Sequence, residues 1–325
     1  MNENKKASDY LREYQSSAET LQSGVGRIRR LSADPVVAVG VLGGSDTPYL
    51  LVLPDKTVNR NVDGINLKVQ RSRTLNLIDE DTEIRDVATV TAISFRSLSY
   101  ASEVLLDILV DEAITSKDPA SVGELAEDFL ELFVPSEGLT RSELLGYWGE
   151  LFLIWGSIDK DLMGKSWHRK DEDRYDFAFG NERLEVKATE GSRRSHSFSS
   201  SQIPPPDGVD VLVASVLTNE VPAGVSFVEL YEDIRLTIGS AQEMRVLATQ
   251  FAKVLAKDPE QFERTLFDIE MAKATLKFFQ SSSIPKVTLD QGASRARWRA
   301  DLEGIPEADT AALRSSRLAA RSDQS

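Results

Sequence analysis

The sequence predicts an α/β protein: a small antiparallel β-rich and helical module, then an α/β/α core built on a mixed sheet. Three observations carry this. Between residues 30 and 95, short apolar runs alternate with turn signals. Residues 174–188, Arg174-Tyr-Asp-Phe-Ala-Phe-Gly-Asn-Glu-Arg-Leu-Glu-Val-Lys-Ala188, set two alternating runs about Gly180-Asn181, the pattern of a hairpin with a two-residue primed turn. Val209-Asp-Val-Leu-Val-Ala-Ser-Val-Leu217 is a nearly unbroken apolar run, rich in valine, as in strands buried on both faces.

Taken in order, residues 1–30 hold Tyr10-Leu11 and Leu21 in a charged setting, which suggests a surface helix or two. Strands are predicted at 35–42, 49–53, 65–69, 75–77 and 90–93. The period then turns helical from Leu98 to about Ser116, with Leu105, Leu106, Leu109 and Val110 as the apolar stripe. A second helix runs from Val122 to Phe133 and stops at Pro135. Thr140-Arg-Ser-Glu143 is a capping box that opens an apolar helix to Trp155, with Gly146 and Gly149 expected to let another element approach closely. The loop at 164–170 leads to the hairpin, and Ile203-Pro-Pro-Pro206 is a rigid loop before the buried strand. Residues 226–230 read as an edge strand, and 240–256 as an amphipathic helix. At least one more short element lies within 263–280, an extended stretch covers 280–305, and a polar helical or disordered tail follows. The division expected is a module at 1–118, a second domain at 119–305 and a tail at 306–325.

Composition narrows the class. With 41% hydrophobic and 28% charged residues the chain is that of an ordinary globular protein. No apolar run approaches the roughly 20 residues that span a bilayer, and no apolar stretch follows the charged start, so neither a membrane nor a secretory signal is expected. Zero cysteines exclude disulfides and thiolate metal sites, and His168 and His196 alone make no zinc cluster. The expected location is the cytoplasm. Gly43-Gly44 is a hairpin turn and no phosphate loop, since no helix with Lys-Ser/Thr follows it.

The hairpin is where chemistry enters. With Gly180-Asn181 as the loop, Phe179 pairs with Glu182, Ala178 with Arg183, Phe177 with Leu184 and Asp176 with Glu185. Side chains alternate faces, so Tyr175, Phe177, Phe179, Leu184 and Val186 form a core face. Arg174, Asp176, Arg183, Glu185 and Lys187 form the other. Opposed carboxylates with β-carbons roughly 5 Å apart repel by about 3 kcal/mol at a dielectric near 20, and by under about 1 kcal/mol in water. A solvated surface carries that easily. A divalent cation between them would turn repulsion into binding, and Lys187 could orient a bound water or steady charge on a reacting phosphate.

Two flanks extend the pattern. Glu150 is the only acid in the apolar middle of its helix. It is either a third acidic group aimed at the hairpin or a solvated residue on a polar edge. Downstream, Thr189 to Gln202 collects Arg193, Arg194, His196, Ser199 and Gln202, donors that suit phosphate, or simply a flexible Ser-rich loop. Further on, Lys286, Arg295, Arg297 and Arg299 surround Trp298, which could grip a nucleic-acid strand; a β-edge with outward arginines is the plainer reading.

Asp-x8-Glu-Val-Lys on a hairpin resembles the active-site motif of the PD-(D/E)XK phosphodiesterases, with Tyr175 where a proline usually precedes the aspartate. Together with Gly-Tyr-Trp-Gly-Glu150-Leu-Phe-Leu, Tyr-Asp176-Phe, Glu185-Val-Lys-Ala-Thr and Arg-Arg194-Ser-His-Ser-Phe-Ser, the chain is similar to the family known as PD-(D/E)XK motif proteins. The likeness runs from about residue 20 to 305 and is sharpest over 140–202. It implies a restriction-endonuclease-like core and a Mg²⁺- or Mn²⁺-dependent deoxyribonuclease, an endonuclease first of all. In that role Asp176, Glu185 and the Val186 carbonyl would hold the metal, Lys187 would position water, and Glu150 would bind a second metal or orient Lys187. Members often sit beside DNA methyltransferases and helicase-like ATPases, implying restriction or phage defence. The alternative is a catalytically inactive subunit of the same fold that binds DNA or scaffolds an assembly. An unrelated α/β protein, its hairpin acids paired with arginines, is a third reading.

The net charge of −14 opposes free DNA binding. Screening limits its reach to about 8 Å, so local charge decides. Residues 163–202 carry eight Lys/Arg against seven Asp/Glu, two of the latter being proposed ligands. The expected partners are therefore DNA and the proteins that deliver it, a helicase-like ATPase and a methyltransferase, with room for a homodimer.

Overall fold

The computed structural model describes residues 7–16, 21–34, 36–45, 47–64, 67–95, 100–130, 139–167, 174–200, 202–203, 208–287 and 296–321. Pro35, Ile65, Pro135, His168, the 204–206 prolines and Arg295, all used above, lie outside them. The chain forms two units, Met1–Glu137 with Leu255–Pro259, and Gly138–Val254 with Glu260–Ser325.

The first unit contains α1 (Ala7–Ser16), β1 (Val25–Ala33), β2 (Val36–Leu42), β3 (Pro48–Leu53), β4 (Arg60–Asp63), β5 (Leu67–Asp79), β6 (Arg85–Phe95), α2 (Tyr100–Ser116) and α3 (Pro119–Leu130). The expected sheet is present, and it closes. The strand row is β1-β2-β3-β6-β5-β4, and β1 also pairs with β5 in parallel, Val25–Ile28 beside Asn76–Asp79. Five strands thus form a small barrel filled by Ile28, Ala38, Leu42, Leu51, Leu75, Leu77, Val90 and Ala92. Register shifts at Arg30/Ser32 and at Gln70/Arg73 provide the bends that closure requires.

β1 was not foreseen because its arginines hide the apolar alternation. Arg29 lies near Glu13, Glu80 and Asp81, and Arg30 pairs with Asp79, so these cations sit at the barrel wall among acids. The two short segments expected at 65–69 and 75–77 are one long strand, β5. The unit also runs past the expected boundary at 118. α3 packs on β5 and β6, and Glu127 pairs with Arg60 and Arg71, so this helix belongs with the barrel.

The second unit follows as α4 (Arg141–Trp155), α5 (Lys160–Ser166), β7 (Phe177–Phe179), β8 (Glu182–Glu190), β9 (Ser195–Ser199), β10 (Asp210–Thr218), β11 (Glu220–Val225), α6 (Phe227–Arg235), α7 (Ala241–Leu255), α8 (Pro259–Arg264), α9 (Ile269–Thr275), β12 (Lys277–Gln280), β13 (Arg297–Asp301) and α10 (Thr310–Ser315). Its sheet is mixed, in the order β12-β10-β8-β7. β8 and β10 are parallel, and both outer pairings are antiparallel. The buried run at 209–217 is the strand β10, placed between neighbours on both sides.

Periodicity assigns the two faces. A Cβ on Gly149 would lie 2.9 Å from Ala188 and 3.4 Å from Val186, so α4 rides directly on the face that carries Val186 and Ala188. Gly146 has nothing within 4 Å of that position, so only one of the two helix glycines serves close approach. On the opposite face, Phe198, Val213, Phe279, Ala300 and Leu302 form a second core, and the β9–β13 ribbon packs there.

One expectation needs correction. Residues 226–230 open helix α6, because Ser226 and Glu229 form a capping box; the strand precedes them, at 220–225. The tail, expected to be helical or disordered, carries the helix α10. Glu182 accepts hydrogen bonds from Ser316 Oγ and the Arg317 amide, and Leu318, Ala319 and Arg321 are buried. The Arg321 guanidinium donates to the Leu153 carbonyl at 2.5 Å, satisfying an end of α4.

Candidate active site

The hairpin has the expected register: Phe177 opposite Leu184, Ala178 opposite Arg183, Phe179 opposite Glu182. Gly180 adopts φ 54°, the left-handed backbone needed at the first central position of such a turn. Pairing stops at Phe177. Asp176 lies in a bend beyond the strand, and its Oδ2 accepts the Val186 amide at 2.6 Å. N–H and C=O of one strand residue point to the same side, so the Val186 carbonyl is directed to the Asp176 edge as well.

Asp176 is half-buried as a residue, but its carboxylate reaches inward to that amide. Burial holds its pKa well above the usual carboxylate range, and the charges of Glu185 and then Glu150 push the same way. The Val186 amide and Lys187 pull it back. Asp176 therefore senses both of the other acids named from the sequence.

Each is also held by its own neighbour. Glu185 Oε1 accepts from Lys187 Nζ and from Gln202 Nε2, both at 2.6 Å. Glu150 Oε2 accepts from the buried Trp167 indole at 2.7 Å. Trp167 is fixed in turn by a bridge to Phe177. The expectation of a solvated Glu150 fails, since the residue is buried. Trp167 was not singled out from the sequence; an acid within an apolar helix, which needs a donor, was the available signal.

The donor set suits a hard divalent cation as two carboxylates and a carbonyl, completed by water. Among the described residues no three His, Cys, Asp or Glu side chains converge into a metal cluster.

The downstream loop divides. Gln202 belongs to the site: its backbone carbonyl accepts from Tyr175 Oη at 2.9 Å while its side chain holds Glu185. Ser199 lines a pocket of about 220 Å³ with Lys187, Ser197, Phe198, Gln202 and Arg297. Arg193 is exposed. Arg194 and His196 are corrections to the predicted phosphate donors, because both point inward. Arg194 donates to the Ser215 carbonyl at 2.8 Å and to its hydroxyl at 2.9 Å. His196 Nε2 lies 2.7 Å from the same hydroxyl. Burial, with the charges of Lys187 and Arg194, lowers the His196 pKa to about 4. Strand alternation alone could have shown this, since His196 and Phe198 share one face of β9.

The model of a family described as "Putative PD-(D/E)XK family member (DUF4420)" matches residues 37–303, a span that includes every one of these site residues. No curated protein and no solved structure matches the chain.

Proposed function

This chain belongs to the PD-(D/E)XK family DUF4420, and from that premise we propose that it is a metal-dependent DNA phosphodiester hydrolase, an endonuclease. The observation that carries the reading is the Asp176 carboxylate, desolvated and pressed by Glu185 beside the Val186 carbonyl edge, with Lys187 against Glu185. Mg²⁺ or Mn²⁺ bound by Asp176, Glu185 and the Val186 carbonyl would offset that repulsion and supply positive charge to the phosphate and the attacking water. Lys187 orients the water and holds a proton near the scissile phosphorus. Gln202 keeps Glu185 in place, and Trp167 holds Glu150, whose charge acts on Asp176.

The wider role we propose is restriction or phage defence, with a helicase-like ATPase and a methyltransferase as partners. The net charge of −14 supports delivery of DNA by such partners. No helix among the described residues is long and apolar enough to cross a membrane. A second reading, a non-catalytic scaffold of this family, is favoured by the lack of a three-residue metal cluster among the described residues.

The test is Lys187→Ala in the full chain, assayed on plasmid DNA with Mg²⁺. Cleavage should fall roughly 100-fold or more while circular dichroism stays unchanged. An unaltered cleavage rate refutes the assignment. Calorimetry with Mn²⁺ separates the scaffold, which has no reason to bind the ion through Asp176 and Glu185.

A further inference from the structure

We propose that the outward face of the β9–β13 ribbon is the track for the phosphate backbone of the DNA strand that enters the site, with Arg297 and Arg299 as its cations. This deepens the nuclease reading and rests on it for the identity of the ligand.

Arg297 stands opposite Ser199, Arg299 opposite Ser197, and Asp301 opposite Ser195. Directly opposed residues of an antiparallel pair share a face, so these six side chains lie on one side of the ribbon. The other side carries His196, Phe198, Trp298 and Ala300, of which His196, Phe198 and Ala300 are buried and Trp298 packs against the same core. The arginine face is thereby turned outward, and both arginines are exposed.

The face is also continuous with the site. Arg297, Ser197 and Ser199 share their pocket with Lys187 and Gln202. Moving along β13 from Arg297 to Arg299 advances about 6.8 Å at ~3.4 Å per residue, comparable to one nucleotide step of a backbone. Flanking hydroxyls suit phosphate oxygens.

Charge supports the same conclusion. Among the described residues neither Arg297 nor Arg299 has an ion-pair partner, whereas many of the chain's other arginines are paired with acids. The single acid on the face, Asp301, stands at the far end and accepts the Glu303 amide. In a chain of net charge −14, two exposed guanidinium groups leading from the proposed catalytic lysine form a local positive run.

The experiment measures binding of a short fluorescein-labelled DNA duplex by anisotropy across a salt series, in EDTA so that metal-dependent cutting does not occur. Each phosphate contact contributes ~0.9 to the slope of log Kd against log salt. Arg297→Gln/Arg299→Gln should reduce that slope by about 1.8 and weaken low-salt binding at least tenfold. Arg314→Gln, which removes one such charge on exposed α10, should leave the slope as it was. Equal slopes for the double variant and the wild type overturn the track, as does a wild type that binds no duplex at low salt. Equal losses for the double and the Arg314 variants overturn it too. Failure of the nuclease reading is distinguishable, because a wild type that binds through the ribbon but never cuts in Mg²⁺ keeps the track and loses the enzyme.

Discussion

The Asp176 carboxylate receives the Val186 amide at 2.6 Å, so the first acid of the motif is tied to the backbone between the second acid and the lysine. One contact thus sets the geometry of the hairpin edge and leaves a desolvated carboxyl beside Glu185. A carboxyl whose pKa is raised by folding adds stability that is complete below its unfolded pKa and is lost as pH rises through the folded value. At neutral pH the wild type bears the resulting cost.

Asp176→Asn keeps an oxygen that can accept the Val186 amide and removes the charge. It should raise the melting temperature at pH 7 in EDTA. Saturating Mn²⁺ should reverse the order, since an ion at a hundredfold its Kd stabilises the wild type by about 2.7 kcal/mol and finds a weaker site in the variant. Thermal melts with and without the ion decide; a melting point unmoved by Mn²⁺ in the wild type counts against metal binding.

Trp167→Phe deletes the indole donor to Glu150 while keeping an aromatic ring in a buried position. The expected loss is about 1–3 kcal/mol, the cost of stripping a hydrogen bond from a buried polar group. Urea unfolding of Trp167→Phe, Glu150→Leu and the double variant gives the coupling directly, and additive effects would mean that the bond contributes nothing.

The two glycines of α4 should respond with opposite sign. Gly149→Ala places a methyl 2.9 Å from Ala188, forcing α4 off β8 at about 1–3 kcal/mol. Gly146→Ala meets nothing within 4 Å and should gain up to about 1 kcal/mol from helix propensity. Chemical denaturation of the pair reads both.

His196 gives a pH signature. Lys187 and Arg194 lower its pKa, Asp301 raises it, and Ser215 shares its hydrogen bond, with burial the largest influence. A histidine lowered from 6.5 to about 4 contributes stability that is complete above 6.5 and lost as pH falls toward 4. The loss over that window is about 3 kcal/mol, at 1.36 kcal/mol per pH unit. His196→Gln should flatten this part of the stability curve. A wild-type curve already flat between pH 6.5 and 4 would contradict the buried neutral imidazole.

The sequence by itself determined what depends on neighbours a few residues apart. The register about Gly180-Asn181, the Thr140–Glu143 capping box and the identity of β10 follow from alternation, turn chemistry and a run of apolar residues, and the structure repeats them. Tertiary structure alone decided how distant segments meet. The pairing of β1 with β5 closes the barrel across fifty residues of chain. The 2.7 Å bond from Trp167 selects one of two environments for Glu150. β13 arrives from a hundred residues downstream to bring Arg297 to Lys187, while Ser215 on β10 draws Arg194 and His196 inside. The physical reason is that period and propensity are local, whereas the side of a strand that becomes interior depends on which remote surface arrives to cover it.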